Sequence, residues 1–277
     1  MPKVSIIMRV YNEMPYIKYA LRMLKQQSFQ DYELIIVDSG STDGSYELAK
    51  QANPDIIYQI TPGTYVPGRV LNEAITKATG DIIVFNNSDC IPQNNYWLEN
   101  LIRPFAQDKH TIATFANQIP RPDASPLVRK DYERAFGDGS ISSKWKHFFS
   151  LASSAVSREI ITQYPFNPTI QYSEDIEWSW RMKELGKTIT YVPDAIVEHS
   201  HNYTIKGLIK RYTGEGKAEK EIYKEPRGNF IMAVIISAKL ELLRDLIYLA
   251  KHRELHWFPY AICARFIQRY CVWKARA

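Results

Sequence analysis

Residues 4 to 85 alternate between short apolar runs and segments with helical periodicity, and this alternation limits the folds open to the chain. The apolar runs predict strands at 4–8, 33–37, 56–60 and 82–85. Helices are predicted at 15–25 and 69–77, with a short helix after the second strand. Strands that alternate with helices pair in parallel through right-handed crossovers. The sequence therefore predicts an α/β fold with a mostly parallel central sheet flanked by helices.

Length and composition favour an ordinary enzyme. The 277 residues suffice for one large domain or two small ones, and 45% are hydrophobic and 23% charged, unlike disordered, collagen-like or polytopic membrane chains. Three cysteines without a CxxC spacing favour neither a disulfide framework nor a zinc cage. The first residues lack the pattern of a secretory signal. These features predict a cytoplasmic protein.

The C-terminal part differs in charge from the rest. Residues 203–277 hold 15 Lys and Arg against 7 Asp and Glu, whereas residues 1–202 hold 20 against 23. This shift predicts a catalytic domain at 1–202 and a basic, amphipathic helical extension at 203–277. Its longest charge-free run, 228–238, has 11 residues, short of the ~20 that span a bilayer.

The apolar residues of the extension allow three interpretations. Ile236, Leu240, Leu243 and Ile247 recur at helical spacing beside cations, a pattern typical of helices that lie on a membrane surface. The same face is equally consistent with a helix that covers the domain. Nucleic-acid binding is a weaker interpretation, because no recognised binding motif accompanies the basic residues. We therefore expect no nucleic acid, and peripheral contact of residues 229–277 with the inner face of the cell membrane is one hypothesis.

Polar residues follow three of the predicted strands. They are Tyr11-Asn12-Glu13, Asp38-Ser39-Gly40-Ser41 and Asn87-Ser88-Asp89. Ligands of open α/β sheets bind beyond the carboxyl ends of the strands, so these residues predict a nucleotide crevice. Neither a GxGxxG nor a GxxxxGK[ST] motif is present. Asp89 supplies the oxygen ligand that Mg²⁺ or Mn²⁺ needs to bridge a diphosphate.

Two further segments carry candidate functional residues. Glu174 and Asp175 open a predicted helix with Ser173 as its N-cap and Gly186 at its end. Acidic residues in a first helical turn are either catalytic or partners of the helix dipole. His199 and His201 share one face of an extended chain. That spacing suits metal coordination or phosphate contact, but it is also found in merely polar segments.

Together, five segments resemble family 2 glycosyltransferases of the GT-A fold, whose nucleotide half is Rossmann-like. The segments are VSIIMRVYNE, ELIIVDSGSTDGS, GRVLNEAITKATGDIIVFNNSD, SEDIEWSWRMKELG and ITYVPDAIVEHSH. The resemblance covers residues 3 to about 202. The stretch from Ser173 to Thr204 is especially similar to bacterial rhamnosyltransferase-like enzymes that build envelope polysaccharides.

The resemblance implies a role for each matching residue on the nucleotide side. The implied nucleotide-sugar-binding residues are Val10, Tyr11, Glu13, Asp38, Asn72, Asn87 and Ser88. Asp89 matches the metal-holding aspartate of the family's DXD motif, while Asn87 replaces the first aspartate, which implies a weaker metal site. His199 matches a histidine that completes the metal or diphosphate site, with His201 as a second candidate. Arg69, three residues before Asn72 on a predicted helix, shares its face and could reach the diphosphate.

The activity that the resemblance implies is an inverting, metal-assisted transfer of a hexose or rhamnose. The donor is a nucleotide-diphosphate sugar, with UDP or dTDP favoured, and the acceptor is a hydroxyl of a glycan or lipid-linked glycan. Asp175, rather than Glu174, is the implied general base. The alternatives are a nucleotidyltransferase and a non-catalytic nucleotide-sugar-binding subunit. The prediction requires Asp89 and Asp175 to face one cleft.

Overall fold

The structure is a computed structural model that describes residues 3–145 and 147–277. Within these residues the chain divides into two compact units. The first contains residues up to Ile119, Arg134–Ile170 and Glu174–His199, and the second contains Pro120–Glu133, Gln171–Ser173 and Ser200–Ala277. The second unit thus begins its long segment close to the predicted boundary at 202. It also takes two earlier segments, which a division into consecutive domains does not allow.

One sheet forms the centre of the first unit. Its strands are β1 (Val4–Val10), β2 (Tyr32–Asp38), β3 (Ile56–Gln59), β4 (Ile82–Asn86), β5 (Ile91–Pro92), β6 (Thr111–Ile119), β7 (Ser153–Ser157) and β8 (Thr188–Glu198). They lie in the order β3-β2-β1-β4-β7-β6-β8-β5. The strands β1 to β4 pair in parallel, as do β6 and β8, while β7 and β5 run antiparallel to their neighbours. The predicted mostly parallel α/β fold is confirmed.

Amphipathic helices connect these strands. They are α1 (Tyr16–Lys25), α2 (Ser45–Gln51), α3 (Pro67–Lys77), α4 (Trp97–Gln107), α5 (Pro126–Ala135), α6 (Arg158–Gln163) and α7 (Glu174–Glu184). The helix α1 buries Ile17, Leu21 and Leu24, the face that its spacing predicts. These side chains join the core cluster with the apolar residues of β1, β2 and β4 and with the fully buried Trp97.

The helix α7 begins and ends where the sequence predicts. It starts directly after Ser173, whose φ of 61° is left-handed, unlike the extended backbone usual for an N-cap. At the other end Gly186 has a φ of 68°. Its N–H donates to the Lys183 carbonyl at 2.8 Å, and the N–H of Lys187 donates to the Met182 carbonyl at 3.0 Å. This pair of bonds is the Schellman ending that glycine permits.

The second unit is helical. It contains α8 (Ile205–Tyr223), a π-helical segment (Ile231–Ile236), α9 (Ser237–Lys251) and α10 (Phe258–Ala275). The helices α8 and α10 approach closely, because a Cβ added at Gly216 would lie 2.7 Å from the Val272 carbonyl oxygen. No helix among the described residues combines the length and the apolar character needed to cross a bilayer.

A buried ionic network holds the early segment 120–133 to the C-terminal helices. The Asp245 carboxylate accepts a hydrogen bond from Arg265 Nε at 2.8 Å and is also bonded by Lys130. Arg265 in turn pairs with Asp131 at 2.8 Å. Asp245, Arg265 and Lys130 are all buried, so each of these charges depends on its partners.

The apolar residues of the C-terminal extension differ in their exposure to solvent. The predicted stripe Ile236, Leu240, Leu243 and Ile247 lies on the surface, with 38% to 62% of each residue exposed. Trp257 and Tyr260, by contrast, pack partly buried against the apolar cluster of this unit.

Candidate active site

The parallel strands bring three polar loops to one edge of the sheet. Val10 of β1 pairs with Asp38 of β2, and β4 lies on the other side of β1, so the residues after these strands leave the sheet at the same edge. The N–H of Asn87 donates to the Ala152 carbonyl at 2.9 Å. The segment before β7 therefore reaches this edge as well.

Asp38 shapes one of these loops. Its carboxylate accepts hydrogen bonds from the N–H groups of Gly40 (2.8 Å) and Ser41 (2.9 Å) and from Gln59 Nε2 (2.9 Å). The residue is fully buried, and Gly40 takes a φ of 91° to let the chain turn back over it. These bonds fix the position of the Asp38 carboxylate at the edge of the sheet, and its contact with a base or ribose stays a prediction.

The other predicted nucleotide residues divide by exposure. The Tyr11 ring is 58% exposed, whereas the Val10 side chain lies in the core, so Val10 can offer only its backbone. Arg69 is exposed in the first turn of α3, and Glu13 is half-buried. Tyr11 and Arg69 are therefore the exposed side chains of this group, and Asn72 and Asn87 are half-buried like Glu13.

Asn72 has a structural role. Its Nδ2 donates to the Phe166 carbonyl at 2.8 Å, and its Oδ1 accepts from the Phe166 N–H at 3.0 Å. Nearby, a Cβ added at Gly68 would lie 2.2 Å from the Asn167 carbonyl oxygen. Gly68 and Asn72 thus dock α3 against the segment 166–167, and nucleotide contact by Asn72 stays a prediction.

Asp89 and His199 form a candidate metal site. Asp89 Oδ2 lies 3.3 Å from His199 Nε2, and both residues belong, with Cys90, to a group of buried potential ligands found among the described residues. His199 Nδ1 lies 2.8 Å from Gln118 Oε1. Since an amide oxygen only accepts, His199 Nδ1 donates to Gln118, and Nε2 is the ring nitrogen that faces the Asp89 carboxylate.

This donor set fits Mn²⁺ or Mg²⁺. Two acceptors 3.3 Å apart attract a cation between them, and a carboxylate oxygen with an imidazole nitrogen suits a first-row divalent ion. A partner on the far nitrogen of the ligand histidine is the usual arrangement in metal sites. The Cys90 thiol is a soft ligand, better matched to other metals. Asp89 and His199 are therefore the pair that could hold the ion.

The remaining candidates near this pair have other partners. His201 belongs to the second unit, where its ring lies 5.9 Å from that of Tyr203, and the group of potential ligands among the described residues does not include it. Ser88 is buried, and its N–H donates to the Arg9 carbonyl at 3.2 Å. Asn87 Oδ1 accepts from Arg9 Nη2 at 3.1 Å. Asn87 thus occupies the position of a DXD aspartate but bonds to a cation of the protein.

Arg9 is the site residue that the sequence analysis missed. Its guanidinium bonds to Asn87 and, through Nη1, to Glu174 Oε1 at 2.8 Å and to the Tyr65 hydroxyl at 3.1 Å. It therefore joins the loop of Asp89 to the start of α7. A charged residue inside the otherwise apolar run VSIIMRV was the available signal, because buried arginines are nearly always paired.

Asp175 lies beside this junction. Its Oδ2 accepts from the Leu151 N–H at 3.2 Å, and Leu151 directly precedes Ala152, the partner of Asn87. Burial, together with the negative charge of Glu174, raises the pKa of Asp175 to about 6. The Glu174 side chain is 11% exposed and is committed to Arg9. The raised pKa of Asp175 suits a general base near neutral pH.

His147 supports the helix that carries Asp175. Its Nε2 lies 2.7 Å from Ser179 Oγ, and that hydroxyl donates to the Asp175 carbonyl at 2.6 Å. Burial and the nearby Lys183 lower the pKa of His147 to about 4. The ring is therefore neutral at physiological pH and donates its Nε2 proton to Ser179.

Comparison with known sequences identifies the family. The chain matches the family described as Glycosyl transferase family 2 over residues 5–164, which is more than half of its length, and it belongs to that family. It is 33% identical over 207 residues to the O-antigen chain rhamnosyltransferase WbaN of Salmonella anatum, with 69% of this chain and 64% of WbaN covered. It is 28% identical to the O-antigen chain rhamnosyltransferase RfbN of Salmonella typhimurium, with 77% of this chain and 71% of RfbN covered.

Solved structures share the fold. The mannosyltransferase PcManGT of Pyrobaculum calidifontis, in complex with GDP-Man and Mn²⁺, gives a TM-score of 0.65 at 19% identity and covers 95% of this chain and 73% of its own. Glucosyl-3-phosphoglycerate synthase of Mycobacterium tuberculosis, in complex with Mn²⁺, UDP and phosphoglyceric acid, gives a TM-score of 0.59 at 21% identity. The match covers 80% of this chain and 78% of the synthase. The fold of this chain is that of GT-A glycosyltransferases.

Proposed function

We propose that this glycosyltransferase moves a hexose or rhamnose from a nucleotide-diphosphate sugar to a hydroxyl of a glycan or lipid-linked glycan, with inversion at the anomeric carbon. UDP and dTDP are the favoured nucleotides. The observation that carries the proposal is the chain of hydrogen bonds from the Asp89 loop through Asn87 and Arg9 to Glu174. It ties the candidate metal pair to the helix that begins with the candidate base.

The proposed reaction is a single displacement. The acceptor oxygen attacks the anomeric carbon, the bond from that carbon to the diphosphate oxygen breaks, and the acceptor proton passes to the Asp175 carboxylate. Asp89 and His199 would hold the divalent ion, which when bound would stabilise the negative charge of the departing nucleoside diphosphate. Arg9 fixes Glu174 in place and, by its positive charge, limits the rise of the Asp175 pKa.

The exposed face of the second unit supports a peripheral membrane location for the enzyme. Four large apolar residues project from one face of α9, and the exposed cations Lys239, Arg244 and Lys251 lie on the same helix. An apolar stripe beside cations binds anionic lipid surfaces. We propose that this face holds the enzyme at the inner side of the cell membrane, where a lipid-linked acceptor would be presented.

A donor screen tests the proposed function. The full chain is incubated with UDP-, dTDP- and GDP-sugars with and without Mn²⁺, and both thermal stabilisation and release of free sugar are measured. We expect Mn²⁺-dependent stabilisation by one nucleotide class, with slow release of sugar and nucleoside diphosphate. The Asp89→Ala variant should lose the Mn²⁺ dependence. Release of sugar 1-phosphate, which marks attack at the nucleotide's α-phosphorus instead of the anomeric carbon, would indicate a nucleotidyltransferase, and binding without any release of sugar would indicate a non-catalytic subunit.

A further inference from the structure

The second unit contains a pocket that the proposed catalytic groups do not use. Its volume is about 410 Å³, and its lining comes from residues 123–132, 201–212 and 257–268. All of these residues belong to the second unit. The volume falls in the range of pockets that hold small organic ligands.

Five of its lining residues are aromatic: Tyr132, Tyr203, Tyr212, Trp257 and Tyr260. The Arg211 guanidinium lies over the Tyr203 and Tyr212 rings, 5.0 Å and 5.8 Å from their centroids. The Tyr260 hydroxyl donates to the Tyr203 carbonyl at 3.0 Å, and the Trp257 and Tyr260 rings meet edge to face at 5.6 Å. These contacts hold the rings in fixed positions. The C–H faces of a pyranose ring stack on rigid aromatic surfaces of this kind.

The charged groups of the lining are balanced within the protein. Arg265 pairs with Asp131 and Asp245, and the Arg211 guanidinium donates to Glu215 at 2.6 Å. Asp123 adds a further carboxylate to the wall. An anionic ligand would meet cations that already have partners and a carboxylate that repels it. The charge pattern therefore favours a neutral ligand.

Polar groups suited to hydroxyls complete the lining. His201, Asn202 and Gln268 stand among the aromatic rings. The Asn202 amide already bonds to Ser125 and Asp123, and Gln268 Oε1 accepts from Arg265, but each amide keeps a further N–H for a neutral alcohol. The two histidines of the segment His199-Ser200-His201 thus lie in different places. His199 faces Asp89, whereas His201 lines the aromatic pocket. Rings for stacking, neutral polar groups and balanced charge are the chemistry of a carbohydrate site.

We propose that this pocket binds one neutral sugar ring of the acceptor glycan. The assignment rests on the proposed function, because it names the substrate class that such a transferase would receive. It places recognition of the acceptor in the C-terminal unit of this chain.

Saturation-transfer NMR tests the assignment without any turnover. The full chain is mixed separately with the methyl glycosides of rhamnose, mannose and galactose. We expect saturation of the ring C–H protons of at least one glycoside, and a signal about fivefold weaker in the Trp257→Ala variant, since a single aromatic stack contributes about that factor. The matched control is Trp273→Ala, which removes a tryptophan of the same unit that does not line the pocket.

A second variant guards against a folding defect. His201 is exposed, so His201→Ala should keep the parental melting temperature and still weaken the signal. Equal signals in the parent and both pocket variants, or no signal for any glycoside, would overturn the assignment, as would displacement of the glycoside by inorganic phosphate. Because the donor screen is read from nucleotide-sugars alone, failure of this pocket and failure of the proposed transfer are told apart.

Discussion

At the scale of single residues, the site depends on how two adjacent carboxylates are treated differently. Glu174 forms an ion pair with Arg9, whereas Asp175 is buried and faces the negative charge of Glu174, so the pKa of Asp175 rises to about 6. The sequence places both side by side and cannot tell which is paired, because Arg9 lies 165 positions away from Glu174. The direction of the Asp175 pKa became clear only when its neighbours were known.

The Asp175 pKa predicts how transfer depends on pH. The base works only when ionised, so the rate should fall as pH decreases through about 6 and approach tenfold per pH unit below that value. Asp175→Asn should bind nucleotide normally and transfer sugar at least ~100-fold more slowly. Its rate should also no longer fall as the pH decreases through the Asp175 pKa, the acid limb of the profile. A pH–rate profile of both proteins makes the check, and near-normal turnover by the variant would refute the assignment.

Arg9 is expected to act as a positioning residue. Arg9→Gln removes a charge that lowers the Asp175 pKa, so the acid limb should move to higher pH while the rate falls about 10- to 100-fold through lost alignment. Arg9→Lys keeps the positive charge but loses the two-pronged hydrogen bond to Asn87, so the pH at which its rate falls should stay near that of the parent. The exposed Arg22 offers a control substitution to Gln. Identical limbs in Arg9→Gln and the parent would contradict this role.

At the scale of elements, sequence periodicity predicted the strands and helices whose positions are set by burial of apolar side chains. The strands β1 to β4, the helix α1 and the glycine end of α7 lie where the pattern places them, because each buries a regular apolar face or needs a left-handed residue. The periodicity could not predict the docking of α3. That contact depends on backbone atoms of residues 166–167, which carry no side-chain pattern.

Gly68 makes this docking testable. Gly68→Ala places a methyl group 2.2 Å from a backbone oxygen that cannot swing away, so the free energy of unfolding should fall by about 1–3 kcal/mol. Gly207, in the first turn of α8, meets only ordinary contacts from 3.4 Å, and Gly207→Ala should be neutral or stabilise by up to ~1 kcal/mol. Urea unfolding compares the two, and equal effects would contradict the tight approach.

At the scale of the whole molecule, the sequence distinguished a basic tail from the rest but not the way the chain is divided. Charge counts change near residue 202, yet the second unit also takes residues 120–133 and 171–173. The segment 120–133 is held there by the buried network of Lys130, Asp131, Asp245 and Arg265, and Tyr172 lies against Gly214 of α8. Pairing across more than a hundred positions leaves no local signal in sequence.

The exposed stripe of α9 gives a prediction at this scale. Leu243→Glu combined with Ile247→Glu should weaken binding to vesicles that contain phosphatidylglycerol at least ~10-fold, because two apolar anchors are lost and negative charge is added. Ile209→Glu, at an exposed apolar residue of α8, serves as the control. Removal of residues 229–277 should also reduce binding, but it deletes buried residues of the unit. Unchanged sedimentation of the double variant with vesicles would argue against membrane contact.

The buried ionic network also has a consequence for synthesis on the ribosome. Lys130 leaves the ribosome more than a hundred residues before Asp245 and Arg265. Its buried ammonium pairs directly with Asp245, and Asp131 links it to Arg265. The nascent segment 120–133 therefore lacks these partners at the time when β6 and β7, which precede and follow it in the chain, can already pair. Completion of the second unit has to wait for the last helix of the chain, whatever the order in which the sheet assembles.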